Sequence, residues 1–239
     1  MLREERKSLK IKAVLFDLGG TLVKTWNPED TFQRVLHSLK ISRSYEQVRE
    51  ALAKTNAEFD AEGYNLLYGK IPYKEFWSRW DSLVLKNLGI PDDEKLGIAI
   101  QDRWFDYAEC SLYSDVEETL FELKKMNLKV GLVSTAYEED IDAILKRAKI
   151  RREQFDVIVG ANTLKKTKPH PDVFKYALAE LKVKPEEAVF IGDAIDADYE
   201  GSEKMGLKAL LIQREESSAD KKLGVRTIID LREVFNFIN

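Results

Sequence analysis

The sequence predicts an α/β protein, a parallel sheet of β/α units interrupted by one all-helical insertion. Three observations carry that reading. Short apolar runs recur along the chain, amphipathic stretches of helical period separate most of them, and residues 23 to about 109 contain no convincing strand. Strand and helix alternating at this pitch imply right-handed crossovers, with ligands bound outside the carboxyl ends of the strands.

The first run, Lys12-Ala-Val-Leu-Phe-Asp17, ends in Leu18-Gly19-Gly20-Thr21. Two glycines permit a backbone turn that other residues resist, so a buried strand delivers Asp17 to a loop. Four helices follow, over Glu29 to Lys40, Tyr45 to Glu62, Tyr73 to Leu88 and Asp92 to Glu109. In the third, Phe76, Trp77, Trp80, Leu83 and Val84 fall at i, i+1, i+4, i+7 and i+8, the spacing of residues that pack the insertion's own core.

Past the insertion, Asp115 to Met126 carries Val116, Leu120 and Leu123 on one face and leads to the strand Val130–Ser134. Ile141, Ile144, Leu145 and Ala148 mark the next helix, before the strand Phe155–Gly160. Phe174, Ala177, Leu178 and Leu181 mark another, before Ala188–Gly192. Ala209–Ile212 and a weaker run at Thr227–Ile229 complete the strands. The polar run from Arg214 to Lys222 reads as a solvated loop.

A chain of 239 residues with 44% hydrophobic residues supports one sizeable core and one smaller domain. The expected division is a core of residues 1–22 and 110–239 and a helical domain of residues 23–109. Lys and Arg total 38 against 42 Asp and Glu, a net charge of −4 with no basic face, so nucleic acid is not an expected partner. Cys110 is the only cysteine, which excludes an intramolecular disulfide and zinc-ligand spacing and points to a reducing cytoplasm. The start, Met1 to Ser8, has no apolar signal core, and no stretch approaches the roughly 18 uncharged apolar residues of a membrane span. A cytoplasmic protein acting on a small molecule is the expectation.

Four motifs end strands or follow them. Asp17-Leu-Gly-Gly-Thr21 is either a tight turn or a carboxylate presented as a nucleophile, with the Thr21 hydroxyl available to the loop or to a phosphate. Ser134-Thr135 is either a helix N-cap or a hydroxyl and backbone N–H set for phosphate oxygens. Lys168-Pro169-His170-Pro171 is either a rigid turn into a helix or a lysine that offsets the charge of an anion facing Asp17. Gly192-Asp193-Ala-Ile-Asp-Ala-Asp198 crowds carboxylates that repel one another unless a cation intervenes, and Mg²⁺ suits such a set; Asp196 or Asp198 is alternatively an N-cap.

In this order the four motifs resemble those of the haloacid dehalogenase-like hydrolases, over roughly residues 10–22 and 110–239. The resemblance implies a doubly wound, Rossmann-like parallel sheet and reads the insertion as an α-helical cap that closes over the site. It implies that Asp17 is the nucleophile and a ligand of Mg²⁺ together with Asp193 and the backbone carbonyl of Gly19. Ser134 and Thr135, with Thr21, would hold the phosphate, and Lys168 would bridge phosphate and Asp17. Asp198 aligns best as the second acidic residue of the fourth motif, an orienting group, with Asp196 as competitor.

Phosphatases of this family carry a second Asp, the general acid and base, where this chain has Gly19. The resemblance therefore implies a slow Mg²⁺-dependent phosphatase of small phosphorylated molecules. The alternatives are a hydrolase similar to haloacid dehalogenases, one similar to phosphonoacetaldehyde hydrolases with an imine-forming lysine among Lys54, Lys70, Lys74 and Lys86, or a phosphate-binding protein with little turnover. Glu29 or Asp30 stands as a substitute proton donor.

Overall fold

A computed structural model describes residues 10–24, 26–91, 94–214 and 224–238. The strands are β1 (Ala13–Phe16), β2 (Lys129–Val133), β3 (Val157–Val159), β4 (Ala188–Gly192), β5 (Lys208–Ile212) and β6 (Thr227–Ile228). They form one six-stranded sheet in the order β3-β2-β1-β4-β5-β6, parallel throughout. The helices that matter below are α1 (Pro28–Ser38), α2 (Tyr45–Ala61), α3 (Tyr73–Asn87), α4 (Glu94–Tyr107), α5 (Val116–Lys125), α6 (Glu138–Arg147) and α7 (Pro171–Leu181).

The period of two along β1 explains why its residues are apolar without a break. Val14 and Phe16 enter one core layer and Ala13 and Leu15 the other, and all four are fully buried. Val116, Leu120 and Leu123 of α5 and Ile141, Ile144 and Leu145 of α6 cover the first face. Val173, Phe174, Ala177, Leu178 and Leu181 of α7 cover the second. The sheet is thus wound on both sides, as the sequence predicts. Strand order reverses between β1 and β4, which pair residue for residue from Ala13 with Ala188 to Phe16 with Ile191. A crevice at such a switch point lies beyond the carboxyl ends of both strands, where Asp17 and Asp193 follow.

Helices α1 to α4 pack around their own core of Phe32, Val35, Leu36, Val48, Leu52, Val84, Leu85 and Ile100. Asn27 caps α1 by accepting the Asp30 N–H, and Ser44 and Gln47 form a capping box at α2. A second aromatic cluster joins these helices to the sheet domain. Tyr137, fully buried just before α6, packs with Phe59 and Phe76. Its hydroxyl accepts the Gly69 N–H at 2.9 Å and donates to the Ile71 carbonyl at 3.3 Å.

Several sequence expectations are refined. Phe76 and Val84 are buried as predicted, but Trp77 and Trp80 also face a cavity, because α3 is covered by other elements along only part of its circumference. Asp196 and Asp198, each read as an alternative N-cap, both lie inside a π-helical turn over Ile195–Glu200. Arg214, read as part of a solvated loop, is half-buried with its side chain enclosed: its guanidinium pairs with Asp115 at 2.6 Å, donates to the Thr21 carbonyl and stacks 4.0 Å from the Tyr113 ring centroid. The rest of that expected loop, from residue 215, lies outside the described residues, as do the chain start and residues 92 and 93 of the fourth predicted helix. No helix among the described residues is long and apolar enough to cross a membrane.

Candidate active site

Asp17 stands at the first position past β1, its N–H donated to the Ile191 carbonyl at 2.9 Å, so the sheet itself fixes where the carboxylate begins. The turn after it closes when the Gly20 N–H bonds the Val23 carbonyl at 2.8 Å. Gly20 has φ +74, and a Cβ there would collide with the Asp193 carboxylate, so this position requires glycine. Gly19 has no positive φ and no atom within 4 Å of where its Cβ would stand.

Lys168 reaches in from the segment between β3 and α7. Its Nζ lies 2.5 Å from Oδ1 of Asp17 and 2.6 Å from Oδ1 of Asp198, with 6% of the residue exposed. Asp198 is held from the other side by the Ala194 N–H, which donates to Oδ2 at 3.1 Å. The π-helical turn brings this about, since Asp198 and Tyr199 both donate their N–H to the Ala194 carbonyl. Asp17, Asp193 and Asp198 each offer a carboxylate oxygen within 4.8 Å of the others. Asp196 is exposed and takes no part in that cluster.

Charge in the cluster is out of balance. Three carboxylates against one ammonium leave two negative charges when all are ionised. Burial, with Asp198 adding repulsion, pushes the Asp17 carboxyl above its usual range despite the Lys168 ammonium. Burial and the charges of Asp17 and Asp198 push Asp193 up to about 6. Lys168 is raised: burial works against its charge, but the two carboxylates outweigh it.

A cleft of about 310 Å³ opens over this cluster, lined also by Gly19, Ser134 and Thr135. The Ser134 N–H is used by the Val159 carbonyl at 2.9 Å, and its hydroxyl accepts the Ala136 N–H at 3.2 Å. Thr21 is fully buried, does not line the cleft, and its hydroxyl has no hydrogen-bond partner among the described residues. Glu29 and Asp30 do not line the cleft, and Lys54, Lys70, Lys74 and Lys86 are all exposed away from it.

The family model for haloacid dehalogenase-like hydrolase matches residues 14–212. The chain belongs to the haloacid dehalogenase-like hydrolases. Pyrophosphatase PpaX of Bacillus thuringiensis (strain Al Hakam) is 30% identical to this hydrolase over 204 residues, covering 85% of this chain and 84% of the relative. Two solved structures share the fold. A HAD phosphatase from Thermococcus onnurineus superposes with TM-score 0.63 at 23% identity, over 96% of this chain and 98% of the other. A 2-haloacid dehalogenase from Pseudomonas syringae pv. Tomato DC3000 gives 0.69 at 20% identity, over 95% and 97%.

Sequence reasoning about this haloacid dehalogenase-like hydrolase misplaces Arg214 in a solvated loop and passes over Tyr137, Asp81 and Asp140. Their roles arise from partners far along the chain, such as Asp115 for Arg214 and Gly69 for Tyr137, and no local spacing signals them. The concentration of all four tryptophans at residues 26 to 104 is the one signal that could have pointed to Asp81 and Asp140.

Proposed function

We propose that this hydrolase is a Mg²⁺-dependent phosphatase of small phosphorylated molecules that works through a phosphoryl group carried on Asp17. The observation that carries the reading is Lys168, buried and bridging Asp17 and Asp198 at the floor of a cleft that Asp193 and Ser134 also line. A lysine so placed neutralises the nucleophile's charge enough for a phosphate to approach, and Asp198 holds it there.

The donor set fits Mg²⁺. All the donors are hard oxygens, the two uncompensated negative charges match a divalent cation, and a raised Asp193 carboxyl is what such a cation would relieve. Asp17, Asp193 and the Gly19 carbonyl would hold the ion. When bound, Mg²⁺ offsets charge on the phosphate oxygens and keeps Asp17 ionised.

In the first half-reaction a carboxylate oxygen of Asp17 bonds to phosphorus while the bond from phosphorus to the leaving oxygen breaks and its electron pair departs with that oxygen. With Gly19 in place of a carboxyl donor, the leaving oxygen takes its proton from water. In the second, water adds to phosphorus, the bond to Asp17 breaks, and the carboxylate is regenerated as phosphate leaves and a proton passes to solvent. Ser134 and Thr135 would bind phosphate oxygens. Helices α1 to α4, as a cap of residues 23–109, would shield the site and select the leaving group.

Turnover is expected to favour leaving groups that are stable as anions. Pyrophosphate, named for the Bacillus relative, meets that condition, as do acyl and aryl phosphates. The test is a panel of pyrophosphate, aryl phosphates, alkyl phosphates and 2-haloacids with and without Mg²⁺. Mg²⁺-dependent phosphate release, steepest for aryl phosphates, supports the reading. Halide release without metal, or phosphate binding without turnover of any member, rejects it.

A further inference from the structure

A second chamber of about 310 Å³ lies against the catalytic cleft and shares Trp26, Ala136 and Ile144 with it. All four tryptophans of the chain, Trp26, Trp77, Trp80 and Trp104, line it. So do two carboxylates, Asp81 at 3% exposure on α3 and Asp140 at 8% on α6. One wall therefore belongs to the helical insertion and one to the sheet domain. The volume is at the lower end of small-molecule sites.

Among the described residues no lysine, arginine or histidine lies at ion-pair distance from Asp81 or Asp140. Asp81 accepts the Gln101 amide at 2.9 Å, and Asp140 is faced by the Tyr73 hydroxyl and the Trp77 indole. Burial pushes each carboxyl up to about 7. Two acidic groups kept from water ionise only at a cost, which a counter-charge in the chamber would relieve and which protonation otherwise removes.

We propose that this chamber binds an organic ammonium group, so that the substrate is the phosphate ester of an amino or quaternary-ammonium alcohol whose phosphate lies over Asp17. A bare metal ion does not suit the site, because hard cations require several oxygen ligands and six of the thirteen lining residues are aromatic. A neutral aryl group would fill the space and leave both carboxylates uncompensated. An alkylammonium ion answers both features, since indole faces attract a weakly hydrated cation and its single positive charge offsets one of the two carboxylates while the other carries a proton. Trp26, Ala136 and Ile144 border both the chamber and the cleft, and a short substrate with an ammonium in one and a phosphate in the other would lie across them.

The proposal rests on the phosphatase reading for its phosphate half only, and the test separates the two. Tryptophan fluorescence of the whole protein is titrated with tetramethylammonium, with choline and with 3,3-dimethylbutanol, the uncharged carbon analogue of choline. Saturable responses to both cations are expected, with choline binding about tenfold or more tighter than its neutral analogue. Asp81→Asn should weaken choline about tenfold, and the comparison of charged and neutral ligands on the unaltered protein stands if that variant fails to fold. Choline phosphate should likewise exceed 3,3-dimethylbutyl phosphate in kcat/KM. Equal binding of choline and 3,3-dimethylbutanol, or no saturable response to either cation, overturns the proposal. Aryl phosphate hydrolysis without cation binding overturns it while leaving the phosphatase reading intact, and cation binding without any hydrolysis supports the chamber and rejects the phosphatase.

Discussion

Gly20 leaves room for the carboxylate of Asp193, which occupies the space where a Cβ on residue 20 would stand. The adjacent Gly19 faces open space and has no positive φ, so of the two neighbouring glycines only the second is imposed by geometry.

A carboxyl side chain can therefore be introduced at residue 19 without a clash. Positioned acid–base catalysis contributes roughly 10²- to 10⁴-fold. Gly19→Asp is expected to raise kcat on alkyl phosphates by part of that factor and to change aryl phosphates far less, flattening the dependence of rate on leaving-group pKa. Gly20→Ala should instead abolish activity by displacing Asp193. The wild-type slope is the check: an already flat dependence means that another group donates the proton.

Lys168→Met should cost stability as well as activity. It strands Asp17 and Asp198 as buried, unpaired charges, and breaking a buried pair from one side costs about 3–5 kcal/mol. Each kcal/mol lowers Tm by about 2–4 °C in a chain of this size. Adding Asp17→Asn should recover part of the loss by removing one stranded charge. A double variant no more stable than Lys168→Met alone would contradict the coupling.

Asp81 makes stability depend on pH with a defined sign. Its carboxyl is raised from 3.8 to about 7, so the folded state holds a proton that the unfolded state has lost between those values. Stability falls as pH rises through that window, by at most about 1.4 kcal/mol for each pH unit crossed. Asp140 acts in the same direction. Asp81→Asn should therefore raise Tm relative to wild type at about pH 8 and leave the difference small near pH 4. Parallel Tm curves for the two proteins across that range would show that Asp81 does not titrate as its burial requires.

Much of this is legible in the sequence. Each strand of the sheet announces itself as a short apolar run, because a parallel sheet covered on both faces leaves no polar side to β1 or β4. Asp17, Ser134, Lys168 and Asp193 stand out because motif residues follow strand ends or turns directly. Asp198 is favoured over Asp196 by the family resemblance, and the π-helical turn carries Asp198 to Lys168 and leaves Asp196 exposed. The tryptophans of α3 read as inward-packing, and helical spacing has no means of telling a packed face from one that borders a cavity. Arg214 departs from its expected place because a polar run signals solvent, whereas its partner Asp115 lies 99 residues away.

The most direct test of the central claim is acid-quenched mass spectrometry of the protein mixed with an aryl phosphate and Mg²⁺, with Asp17→Asn run beside it. The account predicts one phosphoryl group on the peptide that contains Asp17, formed and lost at rates that sustain turnover. It also predicts that Asp17→Asn loses activity by a factor on the order of 10³ or more while keeping its fold. Steady hydrolysis with no phosphoryl group on that peptide, and a comparable rate in Asp17→Asn, would contradict it.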